Sequence, residues 1–326
     1  MVTLLLRVLS HSTAIQPLLD IPTTRGSVQS VFPRAANLLF GSRLLTLHAR
    51  DTPCAPNGLV LPLRAGQGPL ADLQTGMAVI IERGTIYIPT PSLRLSTQNS
   101  QPWDPRPHLE PGACSPERLE RNLERLTTLI TAKAPREGLA ALASLPVEAT
   151  GVSESSGDPA PDDESLLLHT ARRAAALFLD GVIHQNQLAM RQGASTLAGL
   201  GPGLTPSGDD LLIGFMAATS VLSAPLGLNS DFYQRVHMEL LTLARGRTNK
   251  LSITWMEYAR QGEVAEHLGH LFHALVGENT HVLEEAALTV LKSGATSGGD
   301  LLAGIILGSR CLVEQHRLEQ AGGDKP

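Results

Sequence analysis

The chain has 326 residues and a formal net charge of −5, with 26 basic against 31 acidic side chains. A length above 300 predicts two domains, because a single core stops growing before that size. The absence of any basic block argues against a nucleic-acid surface or an anionic-membrane surface. Aromatic residues are only 3% of a chain that is 42% hydrophobic, so burial must come from Leu, Ala, Val and Ile.

Cys54, Cys114 and Cys311 lie far apart and in no CxxC spacing. That pattern argues against a disulfide framework or a cysteine zinc site, and it predicts a reducing, cytoplasmic setting. Val2–Leu6 is apolar, but Arg7 interrupts it before it reaches the length of a signal segment. Leu211–Leu222 is the most apolar later window and falls well short of the ~20 residues a membrane span needs.

Residues 1–95 predict a small β-rich domain. Leu44–His48 and Leu59–Leu63 read as strands, and Met77–Ile81 leads through Glu82-Arg83-Gly84 into Thr85–Ile88 as a hairpin with a three-residue loop. Pro33–Phe40, closed by Gly41, reads as a short helix. Residues 96–164 form a connecting zone. Five prolines between Ser96 and Pro116 predict an extended connector, and Ser115-Pro116 opens a helix carrying Leu119, Leu123, Leu126 and Ile130. The acidic, aperiodic Thr150–Glu164 reads as a mobile linker.

Residues 165–320 predict an all-helical domain, so the fold class is α+β. One long amphipathic helix is expected over Leu167–Ala189. Others follow at Asp209–Leu222, Asp231–Ala244, Ser252–Gln261, Val264–Val276, His281–Leu291 and Gly299–Gln315.

The chemistry-bearing residues of this half are two glycine-rich loops that run straight into apolar helices. Ser207-Gly-Asp-Asp-Leu-Leu-Ile-Gly214 and Ser297-Gly-Gly-Asp-Leu-Leu-Ala-Gly304 match without a gap, 90 residues apart. One reading is helix capping, since Ser-x-x-Asp at Ser207/Asp210 and Ser297/Asp300 resembles a capping box. Capping does not account for the glycines. Gly201, Gly203, Gly208, Gly298 and Gly299 let backbone N–H groups converge on a ligand, and a helix N-terminus favours an anion. Thr205, Ser207, Thr296 and Ser297 add hydroxyl donors.

Asp209, Asp210 and Asp300 would repel such an anion unless they turn back as caps or hold a divalent cation, for which Mg²⁺ is suited. Asp209 is the residue expected to face the ligand. A third polar segment, Arg245–Ser252, offers Arg247, Asn249 and Lys250 as anion contacts, with a helix C-terminus and a following cap as the plainer reading.

The two loops, Gly201–Asp210 and Gly294–Gly304, resemble the signature loops of the AllH family, subunits of oxamate carbamoyltransferase long described only as a domain of unknown function. Arg34–Leu38, Leu44–His48 and Pro56–Val60 are similar to that family's opening segment, and Ser252, Tyr258, Gly262 and His273 fall where family-like residues would. The resemblance implies a part in nitrogen release from allantoin: oxalurate and phosphate give oxamate and carbamoyl phosphate, with magnesium and two partner subunits. It implies small anionic substrates, with Asp209, Asp210, Asp300 and Lys250 at the reaction centre. Two other readings stay open. One is a non-catalytic subunit whose glycines bind a partner or allow close helix packing. The other is a magnesium-dependent hydrolase of a phosphoryl or ribosyl substrate.

Overall fold

The computed structural model describes residues 4–66, 68–147 and 165–323, so the linker expected at 150–164 lies outside the described residues. The chain divides into two compact units, Met1–Arg106 with Glu263–Gly269, and Pro107–Gly262 with His270–Pro326. The class is α+β, as expected.

The first unit is a curled ten-stranded sheet. Its strands are β1 (Leu4–Arg7), β2 (Ser10–Ser12), β3 (Thr23–Val31), β4 (Ala35–Phe40), β5 (Arg43–Ala49), β6 (Gly58–Leu61), β7 (Ala78–Glu82), β8 (Thr85–Ile88), β9 (Leu93–Ser96) and β10 (Gln101–Trp103), with the short helix α1 (Gln16–Leu19) after β2. The order is β1-β9-β8-β7-β3-β4-β5-β6-β2-β10. Chain continuity brings its ends together. Val8 N donates to Ser96 O at 2.9 Å and Leu9 N to Val60 O at 2.8 Å, so one segment pairs first with β9 and then with β6. Leu45, Leu47, Ala49, Leu38, Leu59 and Ile81, all fully buried, point to the core face, while Thr46 and His48 alternate to the other. Residues 263–269 rejoin this unit through Glu266, whose N–H donates to Cys54 O at 3.0 Å and whose Oε2 accepts from Cys54 N at 3.1 Å.

Three local expectations are corrected here. Pro33–Phe40 is not a helix: Ala35–Phe40 is a strand paired on both sides, with β3 and β5, and ladder bonds on both edges override local preference. Gly41, at φ +62°, turns the chain into β5. The β7–β8 turn has two residues, Arg83 (φ +46°) and Gly84 (φ +75°), a mirror-image turn that suits strand twist better than a three-residue loop. The proline-rich connector also contains β10, which adds in parallel to β2.

The second unit is helical: α2 (Pro116–Lys133), α3 (Leu166–Ile183), α4 (Gln187–Leu197), α5 (Ser207–Leu222), α6 (Asp231–Ala244), α7 (Lys250–Arg260), α8 (Glu266–Val276, its start in the returning segment of the first unit), α9 (Thr280–Leu291) and α10 (Ser297–Gly323). The start of α2 matches its sequence signal, with Ser115 Oγ accepting from Arg118 N at 3.3 Å and Pro116 at the first position. The long helix expected over Leu167–Ala189 is instead a hairpin. Gln185 takes φ +55° and Asn186 Oδ1 caps α4 by accepting from Ala189 N. Gly181 and Gly193 let α3 and α4 touch backbone to backbone, a Cβ at Gly181 lying 2.2 Å from Met190 N. Helix α5 is buried almost throughout and Phe215 meets Phe178 edge-on at 4.9 Å, which makes α5 the core helix of this unit. Among the described residues no helix is long and apolar enough to cross a membrane.

Candidate functional site

The two matching motifs begin α5 and α10 in the same way. Pro206 O accepts from Asp209 N at 2.9 Å and Asp210 N at 3.1 Å; Thr296 O accepts from Gly299 N at 2.9 Å and Asp300 N at 3.1 Å. Gly208 N donates to Leu200 O and Gly298 N to Ser293 O, each at 2.9 Å. These bonds close both helix starts through the backbone. The expected capping box is therefore corrected: Pro206, not Ser207, precedes α5, and no side chain caps it. The N–H groups of Gly208, Gly298 and Gly299 are also spent inside the protein, which corrects their assignment to a ligand. What these glycines supply is packing room. A Cβ would lie 2.0 Å from Leu197 O at Gly208, 2.2 Å from Val290 O at Gly298 and 3.1 Å from Ala140 Cβ at Gly299. Gly201 and Gly203 differ, since both hold φ +106° in an exposed or half-exposed loop that only glycine adopts readily.

The loops meet. Thr205 Oγ1 lies 3.3 Å from Ser297 Oγ and 3.1 Å from Asp210 Oδ2. Thr205, Thr296 and Ser297 are half-buried, whereas Ser207 and all three aspartates are buried behind them. Asp209 is fully buried with both oxygens engaged. Oδ1 accepts from Gly199 N at 2.7 Å and Oδ2 accepts from the Thr248 hydroxyl. It ties loops together and does not face a ligand, contrary to the expectation from its position on the helix. Asp300 Oδ1 accepts from Leu139 N, while its Oδ2 is buried with no hydrogen-bond partner among the described residues.

Burial pushes the Asp210 carboxyl up to about 8, held back by the Ser297 and Thr205 hydroxyls and helped by the neighbouring Asp300 and Asp209. Burial also raises Asp300, against the pull of the Leu139 N–H and the Ser207 and Thr296 hydroxyls. Each serine thus lies near enough to the acid of the other motif to favour its charged form, Ser297 for Asp210 and Ser207 for Asp300.

Of the three acids expected to hold magnesium, Asp209 has both oxygens engaged within the protein, and Asp300 spends Oδ1 on the Leu139 N–H and keeps Oδ2 without a partner among the described residues. No group of three or more acidic, His or Cys side chains suited to a metal occurs among the described residues.

The Arg245–Ser252 segment is strapped to the first loop. Asn249 Oδ1 caps α7 by accepting from Leu251 N and Ser252 N, and its Nδ2 donates to Leu204 O at 2.7 Å. A Cβ at Gly199 would lie 2.2 Å from Arg247 O. The Arg247 and Lys250 side chains are exposed on this segment. Sequence reasoning missed Gly138–Leu139, which supplies the N–H for Asp300. A Cβ at Gly138 would lie 2.5 Å from Asp300 Oδ1, and the only local signal was a glycine a few residues past a helix.

Family models match two parts of this chain. Residues 197–309 match the model described as oxamate carbamoyltransferase subunit AllH, and residues 7–102 match the AllH family N-terminal domain. No solved structure matches the chain. The first match contains both glycine loops and the Arg245–Ser252 strap, and the second contains nearly all of the curled sheet. Together they cover most of the chain, which belongs to the AllH family of oxamate carbamoyltransferase subunits.

Proposed function

We propose that this subunit holds a small anionic substrate of carbamoyl transfer, carbamoyl phosphate or oxamate, where the two glycine loops meet. The observation that carries this reading is the 3.3 Å approach of Thr205 Oγ1 to Ser297 Oγ. It places the hydroxyls of two helix N-termini side by side, where their partial positive charges add toward one anion. The backbone of Gly201–Leu204 and the hydroxyls of Thr205, Thr296 and Ser297 are the donors on the open side. The acid conflict is resolved by protonation. The Thr205 hydroxyl donates to Asp210 Oδ2 at 3.1 Å; below about pH 8 Asp210 is mostly neutral and a weaker acceptor, so the Thr205 O–H is free to turn outward to an anion. Arg247 and Lys250 lie on the strap tied to this loop and are suited to stabilising charge on the carbamoyl oxygen or the departing phosphate.

In this reading the chain works with two partner subunits on the interconversion of oxalurate and phosphate with oxamate and carbamoyl phosphate. The three described cysteines are free and buried, which supports a reducing, cytoplasmic setting. The non-catalytic reading draws on the packing role of Gly208, Gly298 and Gly299. Calorimetric titration of the purified chain separates the two. Carbamoyl phosphate or oxamate should bind, and Ser297→Ala or Thr205→Val should weaken binding about tenfold, the worth of one hydrogen bond to a charged group. No heat with either ligand overturns the substrate-site reading and leaves a subunit that binds only its partners.

A further inference from the structure

On the outer face of the curled sheet, away from its apolar core, β3, β4, β5 and the residue before β6 carry a largely buried polar row. Thr46 Oγ1 donates to Asn37 Oδ1 at 2.7 Å, and Asn37 Nδ2 donates to Ser30 Oγ at 3.0 Å. Asn57 Nδ2 donates to both Leu44 O (3.3 Å) and Thr46 Oγ1 (3.0 Å). The side-chain donors of the row therefore run from Asn57 through Thr46 and Asn37 to Ser30. Both amide hydrogens of Asn57 are used, so the orientation of its amide is fixed and Oδ1 is an acceptor. Asn57 is 1% exposed, and that oxygen is buried with no partner among the described residues. Two positions along β5 from Thr46, and so on the same face, stands His48, 6% exposed. Its ring lies against Gly58, where a Cβ would be 2.7 Å from Nε2, and neither ring nitrogen has a partner among the described residues.

We propose that Asn57 and His48 form a binding site for an uncharged carboxamide or ureido group. Burial lowers the His48 imidazole to about 4, so near neutrality the ring offers one N–H donor and one lone-pair acceptor. With Asn57 Oδ1 the site presents two acceptors and one donor. A primary amide is the complement, with two N–H donors on nitrogen and one carbonyl acceptor. A carboxylate has acceptors only; it would leave Asn57 Oδ1 unmatched and bring a charge into a desolvated place. An ammonium group has no acceptor for the His48 N–H. The row from Thr46 to Ser30 positions the Asn57 amide and does not touch the ligand.

The test uses the full chain with ¹⁵N-labelled histidine, with acetamide, acetate and inorganic phosphate as separate probes. The His48 ring signals are assigned by their loss in His48→Gln. Acetamide should shift them saturably, acetate and phosphate should not, and Asn57→Leu should weaken the acetamide response about tenfold. A wild-type His48 unmoved by acetamide, or moved equally by acetate, overturns the proposal, and this arm needs no variant to fold. Phosphate is the probe the glycine loops would take. Its binding without a His48 response, or its failure to bind while acetamide shifts His48, separates the fate of this site from that of the loops.

Discussion

Gly214 of α5 and Gly304 of α10 pack into each other's helix reciprocally. A Cβ at Gly214 would lie 2.2 Å from Leu301 O, and one at Gly304 would lie 2.0 Å from Leu211 O. All four residues keep the 90-residue offset of the motifs, so the two copies cross about a local two-fold. Ser207 and Ser297 each lie seven residues, about two turns, before their glycine. The crossing thereby sets the two helix starts side by side. A methyl group at either glycine meets backbone, which cannot swing aside as a side chain can. Gly304→Ala and Gly214→Ala should each lower stability by about 1–3 kcal/mol in chemical denaturation. An unchanged midpoint would show that the crossing has slack.

Asp209 behaves as a structural tie. Removing its carboxylate leaves the half-buried Gly199 N–H and the Thr248 hydroxyl without their acceptor. Asp209→Ala should cost about 1–3 kcal/mol of stability, read as a lower thermal midpoint. A midpoint equal to wild type with lost ligand binding would return Asp209 to the ligand side.

The buried Asp210 makes stability depend on pH in a defined direction. Its folded value of about 8 stands well above the ordinary carboxylate range, so the folded chain keeps a proton that the unfolded chain releases. The stabilisation is complete below about pH 4, the unfolded value, and is lost as pH rises through about 8. The wild-type midpoint should fall between about pH 4 and about pH 8 and level off above, and Asp210→Asn should flatten that fall. Anion affinity should weaken as pH rises through about 8, because ionised Asp210 draws in the Thr205 hydrogen and adds a negative charge. Calorimetry across pH checks the second effect, and a pH-independent affinity would remove Asp210 from the binding argument.

Asn249 has two separable roles. Asn249→Asp keeps the oxygen that caps α7 and loses the amide that holds Leu204 O, so stability should change little while anion affinity falls. Asn249→Ala loses both and should also cost about 1 kcal/mol of stability, the usual worth of a cap. Equal affinities for the two variants and wild type would show that the strap does not shape the loop.

Where a signal was local, the residues announced it. Ser115 before Pro116 opens α2, and Asp231–Ala244 is helical over its whole expected span. Ala35–Phe40 misled because a short apolar run before a glycine suits a helix or a strand equally, and only pairing with β3 and β5 decides. The 90-residue match of Ser207–Gly214 to Ser297–Gly304 revealed a repeated device but not what its glycines do. Gly208 and Gly298 look like loop glycines in the chain and are packing glycines in space. His48 and Asn57 drew attention only through resemblance, because alternation along a strand does not show which polar side chains end without a partner.

The order of residues by itself determined the α+β class, most of the helices, the repeat, and the family to which the two loops belong. Each of these rests on propensity, periodicity or the identity of short stretches of chain. Only the tertiary structure decided that Asp209 ties loops together, that Asp210 is held in a place where it keeps its proton, and that Thr205 reaches Ser297. Those depend on contacts spanning 39 residues from Asp209 to Thr248 and 92 from Thr205 to Ser297. Desolvation and hydrogen-bond direction arise from everything that packs around a group, and no local pattern carries that information.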